Sequence, residues 1–376
     1  MHTIKNRIKN LLYFIKKNPV LSIAFAAAVI TSIIVPVDKE YIGYFDFKTL
    51  TCLFCVLAVV CALRNINFFY IIAEKLVKIF KNARSCVLVL IYITFIGSML
   101  IANDMALLTF LPLGYFVLAS TGKHKYMAVT FILQNIAANL GGMLTPFGNP
   151  QNLYLYSKFN IDNLEFMQIM APTFVLSIIM ITLCCLIFIR PEQMTIMSSK
   201  VYLNPKKTIL YLVLFALSIA IVFRGIPYYI GLIIIPAVLL LFDRKALRDV
   251  DYGLLFTFVF FFVFAGNMAR IDVIRDLISQ LLNKSTLLVS VLSCQVISNV
   301  PSAILLSQFT NDYANLLVGV NIGGTGTIIA SLASLITFRE YKRRDPKGVG
   351  KYFALFALFN FAFLIVLTLF ALFIKF

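Results

Sequence analysis

Two short stretches set polar side chains inside strongly apolar sequence. Ala102–Pro112 reads ANDMALLTFLP and puts Asn103 beside Asp104; Ser298–Leu306 reads SNVPSAILL and puts Ser298 beside Asn299. A third, Gly141–Leu153 (GGMLTPFGNPQNL), carries three glycines, two prolines, two asparagines and a glutamine. Pro146 and Pro150 remove helix donors, and Gly141, Gly142 and Gly148 allow dihedrals that other residues avoid. A helix broken there bares carbonyls at one end and amides at the other. Carbonyls suit a small cation, and amides at a helix N-terminus suit an anion. The chemistry expected is reversible binding of small ions. Asp104 could carry a proton or help bind Na⁺, and it could also cap the helix that follows it.

The elements that must position these residues are membrane helices. Hydrophobic residues make up 61% of the chain and charged residues 13%, against about 25% charged in a soluble domain. Runs such as 20–37, 166–189, 208–223 and 352–374 supply roughly the 17–25 apolar residues that a spanning helix needs. The class is an all-α polytopic membrane protein. A β-barrel would show short alternating segments instead.

The chain also repeats itself. Gly323–Leu335 (GGTGTIIASLASL) aligns with Gly141–Leu153, with GG, a Thr (Thr145 and Thr327) and the last Leu coinciding. Each GG stretch follows an Asn-bearing stretch. Repeat one is read as 20–189, with a hairpin at 85–120 and a broken helix at 126–156. Repeat two is read as 227–376, with a hairpin at 285–310 and a broken helix at 312–338. A linker at 190–226 carries one extra span, 208–223. The expected total is about nine full spans plus two hairpins. The second hairpin is too short for two spans and reads as re-entrant, while the first is long enough for two.

Loops assigned from these runs fall on alternating sides. One side, including a basic N-terminal segment at 1–19, holds 25 of the 33 Lys and Arg residues, and the other holds eight. The positive-inside rule makes the first side cytoplasmic, with the N-terminus inside and the C-terminus outside. The first apolar run is read as a retained helix. The net charge of +17 is thus a topology signal that meets anionic lipid in the cell membrane, and nucleic acid is not expected. The extra span leaves the two halves in opposite orientation, which is the organisation of secondary transporters that alternate access. Of 16 acidic residues, Asp104 alone falls away from the assigned loops. No Lys, Arg or His is expected within the membrane. A small anion would then be held by amides, hydroxyls and carboxamides, with a co-bound cation.

Other function classes lack their residues. No phosphate-binding G-x-x-x-x-G-K-[ST] occurs; Gly122-Lys123 has no glycine at the upstream position. An enzyme would need clustered carboxylates or a nucleophile with a base, and the apolar core holds one carboxylate and no His. Asp249 and Asp251 read as solvated loop residues. The seven cysteines, including Cys52 and Cys55, read as small buried side chains. A passive anion channel would show flux without coupling. A Na⁺/H⁺ antiporter remains the closest rival, since Asp104 suits it too.

At these motifs the sequence resembles the ion transporter superfamily, which holds arsenite permeases, citrate transporters and divalent anion/sodium symporters. Asn103-Asp104 and SNVP at 298–301 are similar to the arsenite-permease-like branch. Divalent-anion symporters have Ser-Asn-Thr at both tips, and here Asp104 and Val300 replace the Thr residues. The resemblance implies a secondary transporter, often a dimer, that moves a small anion or oxyanion with Na⁺ or H⁺ as coupling ion and no other cofactor. By motif match Asn103, Asp104, Thr145, Asn149, Ser298, Asn299, Thr327 and Ser331 would line the site. Gly148, Asn152 and Thr325 complete the candidate set, with Asn103, Asn149 and Asn299 as candidate Na⁺ ligands.

Overall fold

The computed structural model describes residues 18–194 and 203–374. Most of the basic N-terminal segment and part of the linker lie outside them. The described residues form helices throughout. The first half runs α1 (Pro19–Ile34), α2 (Phe47–Asn65), α3 (Phe68–Val77), α4 (Ala83–Ile101), α5 (Asn103–Ser120), α6 (Met127–Gly141), α7 (Pro150–Lys158) and α8 (Asn163–Phe188). Helix α9 (Pro205–Val222) stands between the halves. The second half runs α10 (Tyr228–Phe242), α11 (Arg244–Arg248), α12 (Tyr252–Ala269), α13 (Asp272–Lys284), α14 (Thr286–Ile297), α15 (Asn299–Leu306), α16 (Tyr313–Ile322), α17 (Leu332–Arg344) and α18 (Val349–Phe373).

Eight segments among the described residues are helical, long and apolar enough to cross a membrane. Both legs of the first hairpin, α4 and α5, are among them. The second hairpin is shorter, with legs of 12 and 8 residues. Helices α1 and α10, expected as full spans, have 16 and 15 residues. Burial separates core from periphery. His124–Leu144, containing α6, is 83% buried inside the protein, whereas α8 is 22% buried. Helix α8 exposes Val175, Ile179, Leu183 and Ile187, an every-fourth-residue stripe that suits lipid.

Local sequence explains the breaks. Helix α6 ends at Gly141-Gly142, a single 3₁₀ turn follows at Gly142–Leu144, and Pro150 starts α7 at its first position, where the missing N–H costs nothing. In the second half α16 ends at the matching GG, and Ser331 caps α17 by accepting from the Ser334 N–H at 3.2 Å. Each hairpin's first leg packs along the first part of its own broken helix, α4 on α6 and α14 on α16. The second legs cross over: α5 packs against α17, and α15 against α7. The two halves are therefore interlocked around the breaks.

The chain after α8 is clasped to the start of α4. Ala83 N–H donates to the Glu192 carbonyl at 2.7 Å, and Met194 N–H to Lys81 at 2.9 Å. The Glu192 carboxylate accepts from Lys123 (2.7 Å), Lys125 (2.5 Å) and the Tyr126 hydroxyl (2.7 Å). The Lys123 bond first, then Lys125 and Tyr126, hold its pKa down at about 2 from the usual 4.5. A carboxyl lowered on folding stabilises above its unfolded value, and that contribution is lost as pH falls from about 4.5 through about 2. Glu192→Gln should therefore lower thermal stability at pH 7 and by much less near pH 2, where the carboxyl is half protonated. Size-exclusion recovery after heating, at both pH values, checks this; equal losses at both would remove the clasp's electrostatic role.

Candidate functional site

The two hairpin tips share one unusual geometry. Ala102 (φ 64°, ψ 148°) and Ser298 (φ 77°, ψ 159°) both sit where non-glycine residues are strained. In each case the next residue is an Asn whose side-chain oxygen accepts from the following backbone N–H. Asn103 Oδ1 takes Asp104 N–H, and Asn299 Oδ1 takes Val300 N–H, both at 2.9 Å. Each Asn is thereby fixed at the first turn of a helix, and both are buried.

The broken stretches hold these tips in matching ways. Thr145 donates its hydroxyl to the Met99 carbonyl at 2.7 Å, and Thr327 to Gln295 at 3.1 Å. Met99 and Gln295 each lie four residues before their tip Asn. Asn103 N–H donates to the Gly148 carbonyl at 3.1 Å. A Cβ on Gly148 would run into the Gly142 carbonyl oxygen, so only glycine lets the loop fold this tightly. On the other side, the Ser298 hydroxyl donates to the Ala330 carbonyl at 3.2 Å.

A carboxamide network joins the halves. Asn149 Nδ2 donates to the Asn139 carbonyl at 3.1 Å and to Asn321 Oδ1 at 3.0 Å. Asn321 Nδ2 donates to Asn152 Oδ1 at 2.6 Å. Asn152 Nδ2 in turn donates to the carbonyls of Gly142 (3.1 Å) and Met143 (3.2 Å). Asn103 Nδ2 donates to Asn139 Oδ1 at 3.3 Å. In the second half, Gln295 Nε2 donates to the carbonyls of Gly323 (2.9 Å) and Thr325 (3.1 Å). Unpaired backbone at this depth must be satisfied internally, and these amides do it.

One cavity of about 280 Å³ gathers the starts of six helices, α1, α5, α7, α12, α15 and α17. Its wall includes Asn103 and Asp104 of α5, Pro150 and Gln151 of α7, Ser298 and Asn299 at the start of α15, and Leu332 of α17. Six N-termini thus border one space, each contributing the partial positive charge of a helix end, while the N–H groups of Asn103, Asp104, Leu254, Val300 and Ser334 already have acceptors. Among the described residues nothing donates to Asp104 Oδ1, Asn149 Oδ1 or Gln151 Oε1. The cavity reaches the surface at Asp251 and Arg339, both exposed, in stretches that the charge count assigns to the Lys- and Arg-rich side.

The candidate residues therefore divide. Asn103, Asp104, Ser298 and Asn299 line the cavity. Thr145, Asn152, Thr327 and Ser331 spend their side chains on backbone or caps, as does Thr325, whose hydroxyl donates to the Ile322 carbonyl at 2.6 Å. Of the three candidate Na⁺ ligands, Asn103 and Asn299 commit their oxygens to their own tips, and only Asn149 keeps an unpaired one. Sequence reasoning missed Gln151, Asp251 and Arg339 on the wall. It also missed Asn139 and Asn321 in the network, although both occupy the same place in an N-x-G-G repeat.

A second cavity of about 400 Å³ is lined by Asp46, Lys48, Tyr154, Lys158 and Gln308 among others. Tyr154 lines this second cavity and not the first. Its hydroxyl hydrogen-bonds with the Ser307 hydroxyl at 2.9 Å and accepts from Gln308 Nε2 at 3.3 Å. Its ring packs against Phe262 with centroids 5.5 Å apart. Helix α7 reaches both cavities, through Gln151 and through Tyr154. These positions are about 4.5 Å apart along the helix.

A family model described as "Citrate transporter" matches residues 11–315, which include both hairpins and the first broken helix. The chain is 32% identical over 336 residues to uncharacterized transporter MJ0456 of Methanocaldococcus jannaschii, covering 87% of this chain and 89% of that one. It is 26% identical over 313 residues to inner membrane protein YbiR of Escherichia coli strain K12, covering 80% and 82%. The chain is thus a multi-pass membrane transporter and belongs to the citrate transporter family, within the superfamily whose motifs it carries.

Proposed function

We propose that this protein is a secondary active transporter for a small anion or oxyanion, coupled to Na⁺ or H⁺ and working by alternating access between two inverted repeats. The observation that carries the reading is the convergence of six helix N-termini on a cavity that also holds an unpaired carboxylate oxygen. The amides attract an anion, and Asp104 repels it until a cation or proton joins. Binding of the two is therefore linked, and linkage is what coupling requires. The interlocked packing and the matched Thr145 and Thr327 contacts support a two-fold arrangement of the repeats. With the basic side cytoplasmic, the cavity faces inward and the Tyr154 layer closes it from outside, in the cell membrane. That layer also favours a carrier over an open channel. The family name makes citrate the first substrate to try, with inorganic oxyanions beside it.

A Na⁺/H⁺ antiporter is the second reading. It is favoured by the unpaired oxygens of Asp104 and Gln151 on the cavity wall, with that of Asn149 beside Gln151 in the chain, a donor set suited to a cation.

Purified protein in liposomes with an imposed Na⁺ or H⁺ gradient decides between them. Citrate, succinate, phosphate, sulfate and arsenite are offered in turn. Saturable uptake that needs both the gradient and one anion is expected. Proton movement on adding Na⁺ alone, without any anion, would transfer the assignment to the antiporter. Asn103→Ala and Asn299→Ala should each weaken binding of the transported anion by about tenfold, the ratio that about 1.4 kcal/mol gives. Unchanged affinity in both would make the tips purely structural.

A further inference from the structure

We infer that Arg339 captures the anion at the mouth of the cavity and sets its charge preference on the Lys- and Arg-rich side. The inference rests on the anion-transport reading above. Helix α17 presents Leu332, Ile336 and Arg339 to the cavity wall. These are positions i, i+4 and i+7, one face of a helix. Arg339 stands about 10 Å along the axis from the helix start, where the cavity meets solvent.

Three arginines end α17, and two are committed. Glu340 accepts from Arg343 at 3.0 Å and from Arg344 at 2.9 Å, and Arg344 also lies over the Tyr115 ring at 4.1 Å. Arg339 makes no ion pair among the described residues. The cavity wall holds two carboxylates, Asp104 and Asp251, and Arg339 is its one cationic side chain among those residues. An anion entering past Asp251 toward Asp104 thus meets repulsion twice and attraction once. A planar guanidinium with free donors pairs two oxygens at a time, which suits a carboxylate or an oxyanion. Arg339 also lines an adjoining cavity of about 260 Å³, where the other charged residues, Glu340 and Arg343, pair with each other and leave Arg339 the one unpaired cation among the described residues. A merely solvated arginine would have no reason to stand on the shared wall of both cavities.

Citrate and phosphate serve as probes in liposomes with the protein sorted by orientation, so that each face is assayed separately. Arg339→Gln should raise KM on the Arg339 face by about tenfold and leave KM on the opposite face and kcat within about twofold. Arg339→Lys should fall between the two. The wild-type KM on that face should rise with salt while the Arg339→Gln value stays flat, since an exposed charge is screened. Lys342→Gln, an equal charge change on the same helix but off both cavity walls, is the control. Equal effects of Arg339→Gln and Lys342→Gln would reduce the role to surface charge and overturn the inference. Equal KM changes on both faces would move Arg339 into the central site and also overturn it. Should Arg339→Gln fail to insert, the salt dependence of Arg339→Lys carries the test, and a KM equal to wild type at every salt concentration overturns the inference. Absence of anion-dependent flux in the wild type removes the underlying reading as well, which distinguishes the two failures.

Discussion

Asp104→Asn should leave an inserted, folded protein whose gradient-driven transport is lower by at least roughly 100-fold, the ratio that about 2.8 kcal/mol gives. The substitution preserves shape. The carboxylate's only structural benefit at the first turn of α5 is its interaction with the helix end, worth about 0.3–1 kcal/mol, so folding survives. What disappears is the one acidic group on the cavity wall that belongs to a membrane-spanning helix. Its Oδ1 has no donor among the described residues, so no existing bond competes with an incoming cation or proton. Without that group the anion no longer needs a companion. Exchange of labelled anion for unlabelled anion should therefore persist while accumulation against a gradient stops. Measuring both on the same liposomes separates a coupling role from a binding role. Full accumulation by Asp104→Asn would end the assignment.

The second large effect is on stability. Asn321→Leu should lower the midpoint of thermal unfolding by several degrees, corresponding to about 1–3 kcal/mol for buried polar groups left without partners. Asn321 accepts from Asn149 and donates to Asn152 and to the Leu317 carbonyl at 2.8 Å. Leucine fills the volume but orphans Asn152 Oδ1, which has that single donor. Asn152 in turn holds the carbonyls of Gly142 and Met143, so the loss spreads into the first break from a residue in the second half. A thermal shift in detergent, read by size exclusion, measures it. A double variant with Asn152→Leu should cost less than the sum of the two singles, because neither partner is then stranded. Additive losses would mean that the bond across the halves contributes nothing.

Much of this site was legible because glycine and proline punctuate membrane helices strongly. The breaks at Gly141-Gly142 and Gly323-Gly324, and the tips at Asn103 and Asn299, are local events, and local residues dictate them. Direction of side chains was not legible. Thr145, Asn152, Thr327 and Ser331 look identical in sequence to residues that would face a ligand. They instead saturate backbone groups that the breaks themselves created. Arg339 and Asp251 were hidden for a different reason. Counting charges by loop places both outside the membrane, yet α17 runs unbroken from the cavity to Arg344, so a residue at the loop boundary still stands on the wall. Asn139 and Asn321 were recoverable from the N-x-G-G repeat, which matching from GG onward passed over.

The thinness of the Tyr154 layer has an electrical consequence. A transmembrane voltage drops mainly across the part of the path that water does not fill. In the proposed arrangement that part lies between the Gln151 and Tyr154 positions of α7, about 4.5 Å apart along the helix. Asp104 lines the cavity on the Gln151 side of it. A proton or Na⁺ that reaches Asp104 from that side crosses little of the field, so its binding should be nearly independent of voltage. Charge that passes the tyrosine crosses most of it, at about 2.3 kcal/mol per elementary charge per 100 mV. Voltage sensitivity in this transporter should therefore belong to the step that parts Tyr154 from Ser307 and Phe262. The size of the current at that step would count the net charge carried in each cycle.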